Sequence, residues 1–292
     1  MGVMEVRRFN RMVTQRVGAL QEDYLARGRP LGADRVLWEI GTDGCDVRSL
    51  RARLDLDSGY LSRLLRSLER AGLVRVEPDA ADARVRMARL TEEGLAERQV
   101  LDERSDELAA SILEPLSEVQ QERLVTAMDE VTRLLTASMV RVAAVDPRLP
   151  AAQYCLAQYF AELGRRFDDG FDRSRSISAD NAELTPPAGL LLMATLRSEP
   201  VGCGALKLQG SDPAEIKRMW VAPDARGLGL GRRLLTELEH AALAHGASAV
   251  RLETNRNLSE AIALYRTSGY QEVPRFNDEP YAHHWFEKPL PA

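Results

Sequence analysis

The sequence predicts a multidomain protein with a mainly α-helical N-terminal domain over residues 1–138 and an α+β C-terminal domain over residues 139–292. The length of 292 residues favours two domains, since one domain has roughly 100–200 residues. The first half shows helix-period apolar patterns around one β-hairpin, whereas the second half alternates strands and helices. These observations together predict two separately folded cores.

The composition excludes several classes of protein. Hydrophobic residues make up 45% and charged residues 28%, and the formal net charge is −5, as in ordinary globular proteins. The longest apolar runs, such as 188–192, are far below the roughly 18 residues of a membrane helix, and the N-terminus lacks an apolar signal core. Three scattered cysteines and four histidines show no disulfide or metal-ligand spacing. We therefore expect a cytoplasmic protein with no membrane association and no metal.

The N-terminal elements follow from periodicity and capping residues. A helix is predicted over Val6–Arg27, and a short one over 33–41. Asp46 can cap a third helix that runs to about residue 54. Ser58 can cap a fourth helix that ends near residue 71 and carries one leucine stripe. Strands over 73–77 and 84–90 complete a hairpin.

Helix, tight turn, helix and hairpin is the plan of a winged helix-turn-helix domain, whose second helix enters the major groove of DNA. Residues 48–89 contain ten arginines and six acidic residues, in an otherwise acidic protein. The predicted DNA-binding residues lie on the fourth helix and the hairpin: Ser58, Tyr60, Ser62, Arg63, Arg66, Arg84 and Arg86. The alternative is a helical packing unit with exposed arginines.

Two long helices follow the hairpin. Thr91 opens one that Pro115 ends, and Ser117 with Gln120 has the spacing of a capping box for the second, over 118–138. The second helix has a long apolar face that needs a partner. A second copy of the chain is the simplest partner and suits a palindromic operator, whereas packing against the second domain is the alternative.

Residues 1–138 resemble the MarR family of winged-helix regulators. The resemblance is carried by residues 50–54, the run 58–65, 68–69, 71–74, Asp82 with Arg84, and 90–91 with Gly94. It implies a double-stranded DNA operator, wing arginines close to DNA, a homodimer with interlocked terminal helices and, often, a small-ligand pocket at the dimer interface.

The second half predicts a mixed sheet with helices. Strands are expected over 139–145, 190–197, 201–208, 215–221, 249–253, 272–276 and 282–287, and helices over 151–167, about 230–245 and 259–268, with a polar loop at 168–187.

A glycine-rich turn follows the strand at 215–221. Gly227, Gly229 and Gly231 alternate at a predicted helix N-terminus, where free N–H groups and the helix dipole suit a pyrophosphate, and Arg226 and Arg232 add positive charge. A dinucleotide fingerprint is disfavoured, because its third glycine position holds Arg232. A P-loop is disfavoured because no Gly-Lys-Ser/Thr follows. A turn chosen only for tight packing is the structural alternative.

The segment 226–231 resembles motif A of the GNAT acetyltransferase superfamily, and 261–265 with 268–270 resembles its motif B. The resemblance, over about residues 139–292, implies acetyl-CoA as co-substrate and direct transfer to an amine. It implies Glu215 as general base and Tyr265 as general acid. The alternative for Glu215 is a surface carboxylate paired with a neighbouring cation, and the alternative for Tyr265 is an aromatic residue of the core.

The cofactor residues implied by the resemblance lie on the strand, the turn and the next loop: Met219, Trp220, Val221, Arg226, Gly227, Leu228, Gly229, Leu230, Gly231, Arg232 and Asn257. The family's usual asparagine position holds Leu258, one residue after Asn257. Near the C-terminus an aromatic group could line an acceptor pocket or belong to the core: Phe276, Tyr281, His283, His284 and Trp285.

The leading hypothesis is a bifunctional protein, a DNA-binding transcriptional regulator fused to an acetyl-CoA-dependent N-acetyltransferase that acts on a small-molecule or peptide amine. One alternative is a non-catalytic regulator whose second domain only senses acetyl-CoA or a small ligand. Another is an enzyme whose first domain only dimerises it.

Overall fold

A computed structural model describes residues 2–20, 24–177, 179–208 and 213–291. The chain divides into two compact units, Met1–Ala127 and Met128–Ala292. The division falls inside the helix Glu118–Met139, and the predicted boundary after residue 138 lies at the end of the same helix. The boundary at 138 therefore stays a prediction.

The N-terminal unit is mainly helical with a small sheet, as predicted. Its strands have the order β1-β3-β2, which places the hairpin β2–β3 beside a short third strand. The elements, including the helix that continues into the second unit, are α1 Val3–Arg16, α2 Leu31–Ile40, β1 Cys45–Asp46, α3 Val47–Leu54, α4 Ser58–Arg70, β2 Val74–Pro78, β3 Arg86–Leu90, α5 Glu92–Leu113 and α6 Glu118–Met139.

The leucine stripe of α4 holds the helix-turn-helix together. Leu61, Leu64, Leu65 and Leu68 are buried in one cluster with apolar residues of α2 and α3. Each buried leucine contributes about 1.5–3 kcal/mol relative to an exposed one. The opposite face of α4 is thereby left to solvent.

Three predicted caps of this unit form as expected. The Asp46 carboxylate accepts a hydrogen bond from Ser49 N at 2.9 Å, and Thr91 Oγ1 accepts one from Gly94 N at 3.0 Å. Ser117 N donates to Gln120 Oε1 at 3.0 Å, which is one of the two bonds of a capping box, and Ser117 Oγ donates to the same oxygen at 3.1 Å. Each helix therefore begins where its capping residue indicates.

Two predictions for the N-terminal unit are wrong. The first helix does not reach residue 27 but ends at Arg16, just before Gly18, whose φ of 68° leaves the helical conformation. Leu25 and Ala26, with φ of 52° and 55°, are not helical either, and residues 21–23 lie outside the described part. The cap of α4 is Asp57 and not Ser58, since the Asp57 carboxylate accepts from Tyr60 N at 2.8 Å.

A charged cluster joins α5 to the segment before α2. Glu97 accepts hydrogen bonds from Arg27, at 2.6 Å, and from Arg29. The bond from Arg27 is the largest influence on the Glu97 carboxyl; although burial opposes it, Arg27 and Arg29 together lower the pKa of Glu97 to about 2. Glu97 therefore stays ionised in the folded unit at any pH well above 2.

The C-terminal unit is an α+β domain around a mixed sheet, as predicted. The sheet has the order β4-β5-β6-β7-β8-β10-β9, and its pairs are antiparallel except for the parallel pair β7–β8. The elements are β4 Arg141–Val145, α7 Pro150–Arg166, β5 Gly189–Leu196, β6 Glu199–Lys207, β7 Ala214–Val221, α8 Leu230–Ala244, β8 Ala249–Thr254, α9 Ser259–Thr267, β9 Gln271–Glu272 and β10 His284–Pro289.

Two apolar clusters cover the two faces of this sheet. Ile216 packs in the cluster that includes α8, whereas Trp220 packs in the cluster that includes α7. On a regular strand, residues four apart such as Ile216 and Trp220 face the same side of the sheet. Here β7 has one extra residue opposite Cys203–Ala205 of β6, so Ile216 and Trp220 face opposite sides. Arg218 lies at this bulge with a φ of 55°.

The strand predicted at 272–276 is shorter than expected. Only Gln271–Glu272 form β9, and the last backbone bond of this segment to β10 comes from Val273 N to Trp285 O. Pro274 ends the pairing because proline has no N–H to donate.

Candidate functional site

Two neighbouring strands part in the middle of the C-terminal unit. β7 and β8 pair at Ala214 with Val250 and at Glu215 with Arg251, and no further pair forms along these fully described strands. Beyond Glu215 the strands diverge, and two adjoining cavities open in the gap. The backbone of β7 after the bulge therefore faces a cavity instead of a neighbouring strand.

The larger cavity, of about 470 Å³, lies between α7, the end of β7, the glycine turn and α9. Gly227 and Gly229 have φ of 79° and 72°, which side chains rarely adopt, and no atom lies within 4 Å of where their Cβ atoms would be. Gly229 precedes α8, whose first-turn N–H groups have no partner within the helix. This cradle fits a pyrophosphate.

The cavity brings together the predicted cofactor residues of β7, the turn and α8, except for two. Leu228 packs against the core, and the Asn257 side chain donates to Arg166 O at 2.8 Å and to Asp168 Oδ1 at 3.1 Å. The predicted cofactor residues that line the cavity are Met219, Trp220, Val221, Arg226, Gly227, Gly229, Leu230, Gly231 and Arg232.

Sequence reasoning missed the contribution of α7 to this cavity. Glu162 accepts hydrogen bonds from Trp220 Nε1 at 3.1 Å and from Arg226 Nη2 at 2.6 Å. Arg166 reaches the same carboxylate at 3.3 Å. Glu162 therefore holds Arg226 beside the glycine turn, although the pair Glu162 and Arg166 reads in the sequence as an ordinary i,i+4 ion pair on a solvated helix.

The smaller cavity, of about 100 Å³, adjoins the first and shares Tyr159, Met219 and Tyr265 with it. Aromatic side chains of α7, of the loop after it and of the segment before β10 form much of its wall. Of the C-terminal aromatic group considered in the sequence, only Tyr281 is among the lining residues. We name the larger cavity, where most of the predicted cofactor residues lie, the cofactor cavity, and the smaller one beside it the acceptor cavity.

The two carboxylates closest to this gap have different surroundings. Glu215 accepts from Arg251 Nη2 at 2.6 Å, forms an ion pair with Lys217 at 3.2 Å, and is not among the lining residues of either cavity. Burial raises the pKa of Glu215, but Lys217 and Arg251 outweigh burial, so the pKa is lowered. The lowered pKa and the position outside both cavity linings make Glu215 a poor proton acceptor.

Glu253 lines the smaller cavity, and its side chain is 8% exposed. Its Oε1 accepts a hydrogen bond from Lys217. Its Oε2 is buried and has no hydrogen-bond partner within the described part of the chain. A buried carboxylate oxygen of this kind is costly unless a ligand uses it.

Tyr265 lies on α9 between the two cavities and contributes to both linings. Its ring packs against Tyr270 and Phe286, with centroids 5.8 and 5.9 Å away. Burial raises the pKa of Tyr265, and the nearby charge of Glu253 raises it further. The hydroxyl therefore stays protonated at neutral pH and is able to donate a proton or a hydrogen bond.

The predicted DNA-binding side chains are all exposed on α4 and the hairpin. Arg84 is at the hairpin turn with its side chain 95% exposed. Tyr60 differs from the others, because its hydroxyl occupies the space that a Cβ of Gly32 would need and its ring lies under Arg63 at 5.6 Å. Tyr60 therefore packs towards α2.

Comparisons with known proteins agree with both halves. A model of the Acetyltransferase (GNAT) family matches residues 156–270, and a model of the MarR family matches residues 34–85. An IAA acetyltransferase of Azospirillum brasilense is 36% identical over 143 residues, which cover 47% of this chain and 92% of that protein. The chain belongs to the GNAT acetyltransferase family. Residues 34–85 add a MarR-family winged-helix region to it.

Two further similarities concern one half each. N-alpha-acetyltransferase RimI of Mycobacterium tuberculosis is 35% identical over 120 residues, which cover 40% of this chain and 73% of that protein. The PcaV transcriptional regulator of Streptomyces coelicolor is 23% identical, with a TM-score of 0.35, and the match covers 44% of this chain and 88% of that structure.

Two expected absences concern metals and membranes. Within 2–20, 24–177, 179–208 and 213–291, no group of three His, Cys, Asp or Glu side chains is placed to hold a metal ion. Over those same ranges, no helix has the length and apolarity to cross a membrane.

Proposed function

We propose that the GNAT domain transfers an acetyl group from acetyl-CoA to the amine of a small acceptor, and that the MarR-type region of the same chain binds operator DNA in the cytoplasm. The observation that carries the enzymatic part is the gap between β7 and β8. It joins the glycine cradle to a cavity with a buried carboxylate and a protonated tyrosine.

Acetyl-CoA would lie in the larger cavity and supply the acetyl group as a thioester. The amides of Gly227, Gly229 and the first turn of α8 would hold its pyrophosphate, with Arg226 at the edge of the cradle. The amides of β7 after the bulge would orient the acetyl carbonyl, because they face the gap.

The acceptor enters as an ammonium ion, which is not a nucleophile until it loses a proton. We assign that proton to Glu253, because the residue lines the acceptor cavity and its buried Oε2 has no hydrogen-bond partner among the described residues. The neutral amine would then attack the thioester carbonyl carbon, and the carbon–sulfur bond would break. Tyr265 would donate its proton to the departing sulfur and recover one from the nitrogen, because its hydroxyl is protonated and the residue lines both cavities. Glu215 stays a prediction from the family resemblance, and the structure favours Glu253 over it.

DNA binding and dimerisation complete the proposal. The exposed arginines of α4 and of the hairpin would contact the major groove and the phosphates. Helix α6 has no buried residue within one chain, although its apolar face includes Met128, Leu134 and Leu135. A second copy of the chain would cover this face and set the spacing of two DNA half-sites.

Release of free CoA thiol, measured with a panel of amines, tests the enzymatic proposal. Acceptor-dependent thiol release supports it. Acetyl-CoA binding without turnover on any amine contradicts it and favours a domain that only senses acetyl-CoA. For the DNA-binding proposal, selection of duplexes from a random pool should yield a palindrome, and failure to enrich any sequence would contradict it.

A further inference from the structure

The acceptor cavity has a wall of aromatic rings. Phe160, Phe167, Phe171 and Tyr281 contact one another there, with ring centroids 4.9 to 5.8 Å apart. Aromatic residues make up only 5% of the sequence, so this concentration is unusual for the chain. Flat rings with exposed edges and faces give a planar aromatic ligand more contact than an alkyl chain of the same size.

The same cavity has charges of opposite sign on different strands. Glu253 of β8 presents its buried Oε2, as described above. Arg218 of β7 is buried, lies 5.2 Å from the Phe160 ring and donates to the Ala179 carbonyl oxygen. Its positive φ of 55° is strained for an arginine, and such strain is concentrated at ligand sites.

Lys217 and Arg251 balance the charges of Glu215 and Glu253. Lys217 is ion-paired with both carboxylates, and Arg251 pairs with Glu215. Glu253 is distinguished by its Oε2, which is buried and has no hydrogen-bond partner among the described residues. Glu279, also in the lining, accepts hydrogen bonds from Ser176 Oγ at 2.9 Å and Ile177 N at 2.7 Å. Glu279 thus fastens the loop after α7 to the cavity.

The fastened loop limits the size of the acceptor. A second link, from Asp172 N to the Tyr281 hydroxyl at 2.9 Å, ties the loop to the wall. An apolar cavity of roughly 150 Å³ takes one benzene molecule. The cavity of about 100 Å³ is smaller than that, but it adjoins the larger cavity and shares lining residues with it, so it admits at most about one ring and has no room for several residues of a polypeptide.

We propose that the acceptor is a free aromatic amino acid, with its ring among these aromatic side chains, its carboxylate beside Arg218 and its amine at Glu253. This inference rests on the proposed acetyl transfer. A planar guanidinium matches a carboxylate in geometry and charge, and the opposite charges on two strands match a zwitterion. No covalent step is added to the transfer already described.

The test compares four acceptors on the wild-type chain by release of CoA thiol: phenylalanine, phenethylamine, alanine and a peptide with a free N-terminus. We expect kcat/KM for phenylalanine to exceed that of alanine by about 100-fold, through the ring, and that of phenethylamine by about 10-fold, through the carboxylate. Equal or better use of alanine, the peptide or phenethylamine overturns the proposal.

Arg218→Gln tests the carboxylate contact, and Arg173→Gln is its matched control. Arg173 lies 4.7 Å from the same Phe160 ring but is exposed and not among the lining residues. We expect Arg218→Gln to lower kcat/KM about 10-fold for phenylalanine, mainly through KM, and less than about threefold for phenethylamine. Arg173→Gln should leave the ratio between the two acceptors unchanged. Equal effects of Arg218→Gln on both acceptors overturn the proposal.

Two measurements keep the result decisive. Acetyl-CoA affinity of Arg218→Gln shows whether the variant is folded. If Arg218→Gln is not folded, inhibition of the wild type by phenylacetate replaces this variant, because phenylacetate has the ring and the carboxylate but no amine. Inhibition that competes with the amine supports the proposal, and the absence of inhibition overturns the proposal. If no amine gives thiol release, the acetyl-transfer proposal is refuted. If only non-aromatic amines give thiol release, this inference alone is refuted.

Discussion

The choice of base is the sharpest consequence of the parted strands, and a matched pair of substitutions tests it. Glu253→Gln and Glu215→Gln each remove one negative charge from the surroundings of Lys217. After the first change Lys217 keeps Glu215 at 3.2 Å, and after the second it keeps Glu253. Glu215→Gln additionally loses the ion pair with Arg251 at 2.6 Å, so it disturbs the local charges at least as much as Glu253→Gln. A larger loss of activity in Glu253→Gln therefore reports proton transfer.

The expected magnitude follows from the loss of one general base. Such a base contributes about 10²- to 10⁴-fold, so Glu253→Gln should lower kcat at least about 100-fold, equivalent to about 2.7 kcal/mol in the barrier. Glu215→Gln should lower kcat less than about threefold, because Glu215 is not among the lining residues of either cavity.

Thiol release at saturating acetyl-CoA, followed from pH 6 to 9.5, is the assay. Without Glu253 the enzyme must capture the small fraction of acceptor that is already neutral. The activity of Glu253→Gln should therefore rise about tenfold per pH unit up to the pKa of the amine. An equal loss in both variants, or the larger loss in Glu215→Gln, would refute the assignment, as would a flat pH profile of Glu253→Gln.

Three further predictions concern stability and DNA. Gly189→Ala should destabilise the C-terminal unit by about 1–3 kcal/mol, because a Cβ there would collide with two backbone carbonyls, whereas Gly164→Ala, in open space on α7, should stabilise it by about 0.5–1 kcal/mol; urea denaturation measures both. Glu97→Gln should lower the free energy of unfolding by about 1–2 kcal/mol at pH 7, after allowance for solvent screening. Because Arg27 and Arg29 stabilise only the ionised carboxylate, the difference from wild type should fade as the pH falls from 4.5 towards 2. A constant difference at pH 7 and pH 3 would contradict this. Arg63→Ala should weaken operator binding and reduce the salt slope by about one, whereas Arg104→Ala, on α5 and paired with Glu107, should leave the slope unchanged.

Local signals in the sequence were sufficient for most of the fold. Asp46, Thr91 and Ser117 begin their helices as predicted, since a cap acts within three residues of itself. The cradle at Gly227 and Gly229 was also predicted, because positive φ is a local demand that glycine meets. The predicted extent of the first helix was wrong, because the helical pattern in the sequence continues through residues whose backbone is not helical.

The site depended on contacts that no local pattern encodes. Glu162 and Arg226 are 64 residues apart in the sequence. Tyr281 contacts the rings of Phe167 and Phe171, which are more than a hundred residues away in the sequence. The choice between Glu215 and Glu253 depends on where β7 and β8 part. The position of Arg218 depends on a bulge, which has no sequence signature in a strand of mixed residues.

Comparative binding of acetyl-CoA and acetyl-pantetheine to the full chain tests the central claim most directly. The two thioesters share the acetyl group and the pantetheine arm, but acetyl-pantetheine lacks the pyrophosphate and the nucleotide. If the amides around Gly227 and Gly229 grip the pyrophosphate, one acetyl-CoA should bind per chain, about 100-fold more tightly than acetyl-pantetheine. Equal affinities, or no acetyl-CoA binding by the folded chain, would contradict the account.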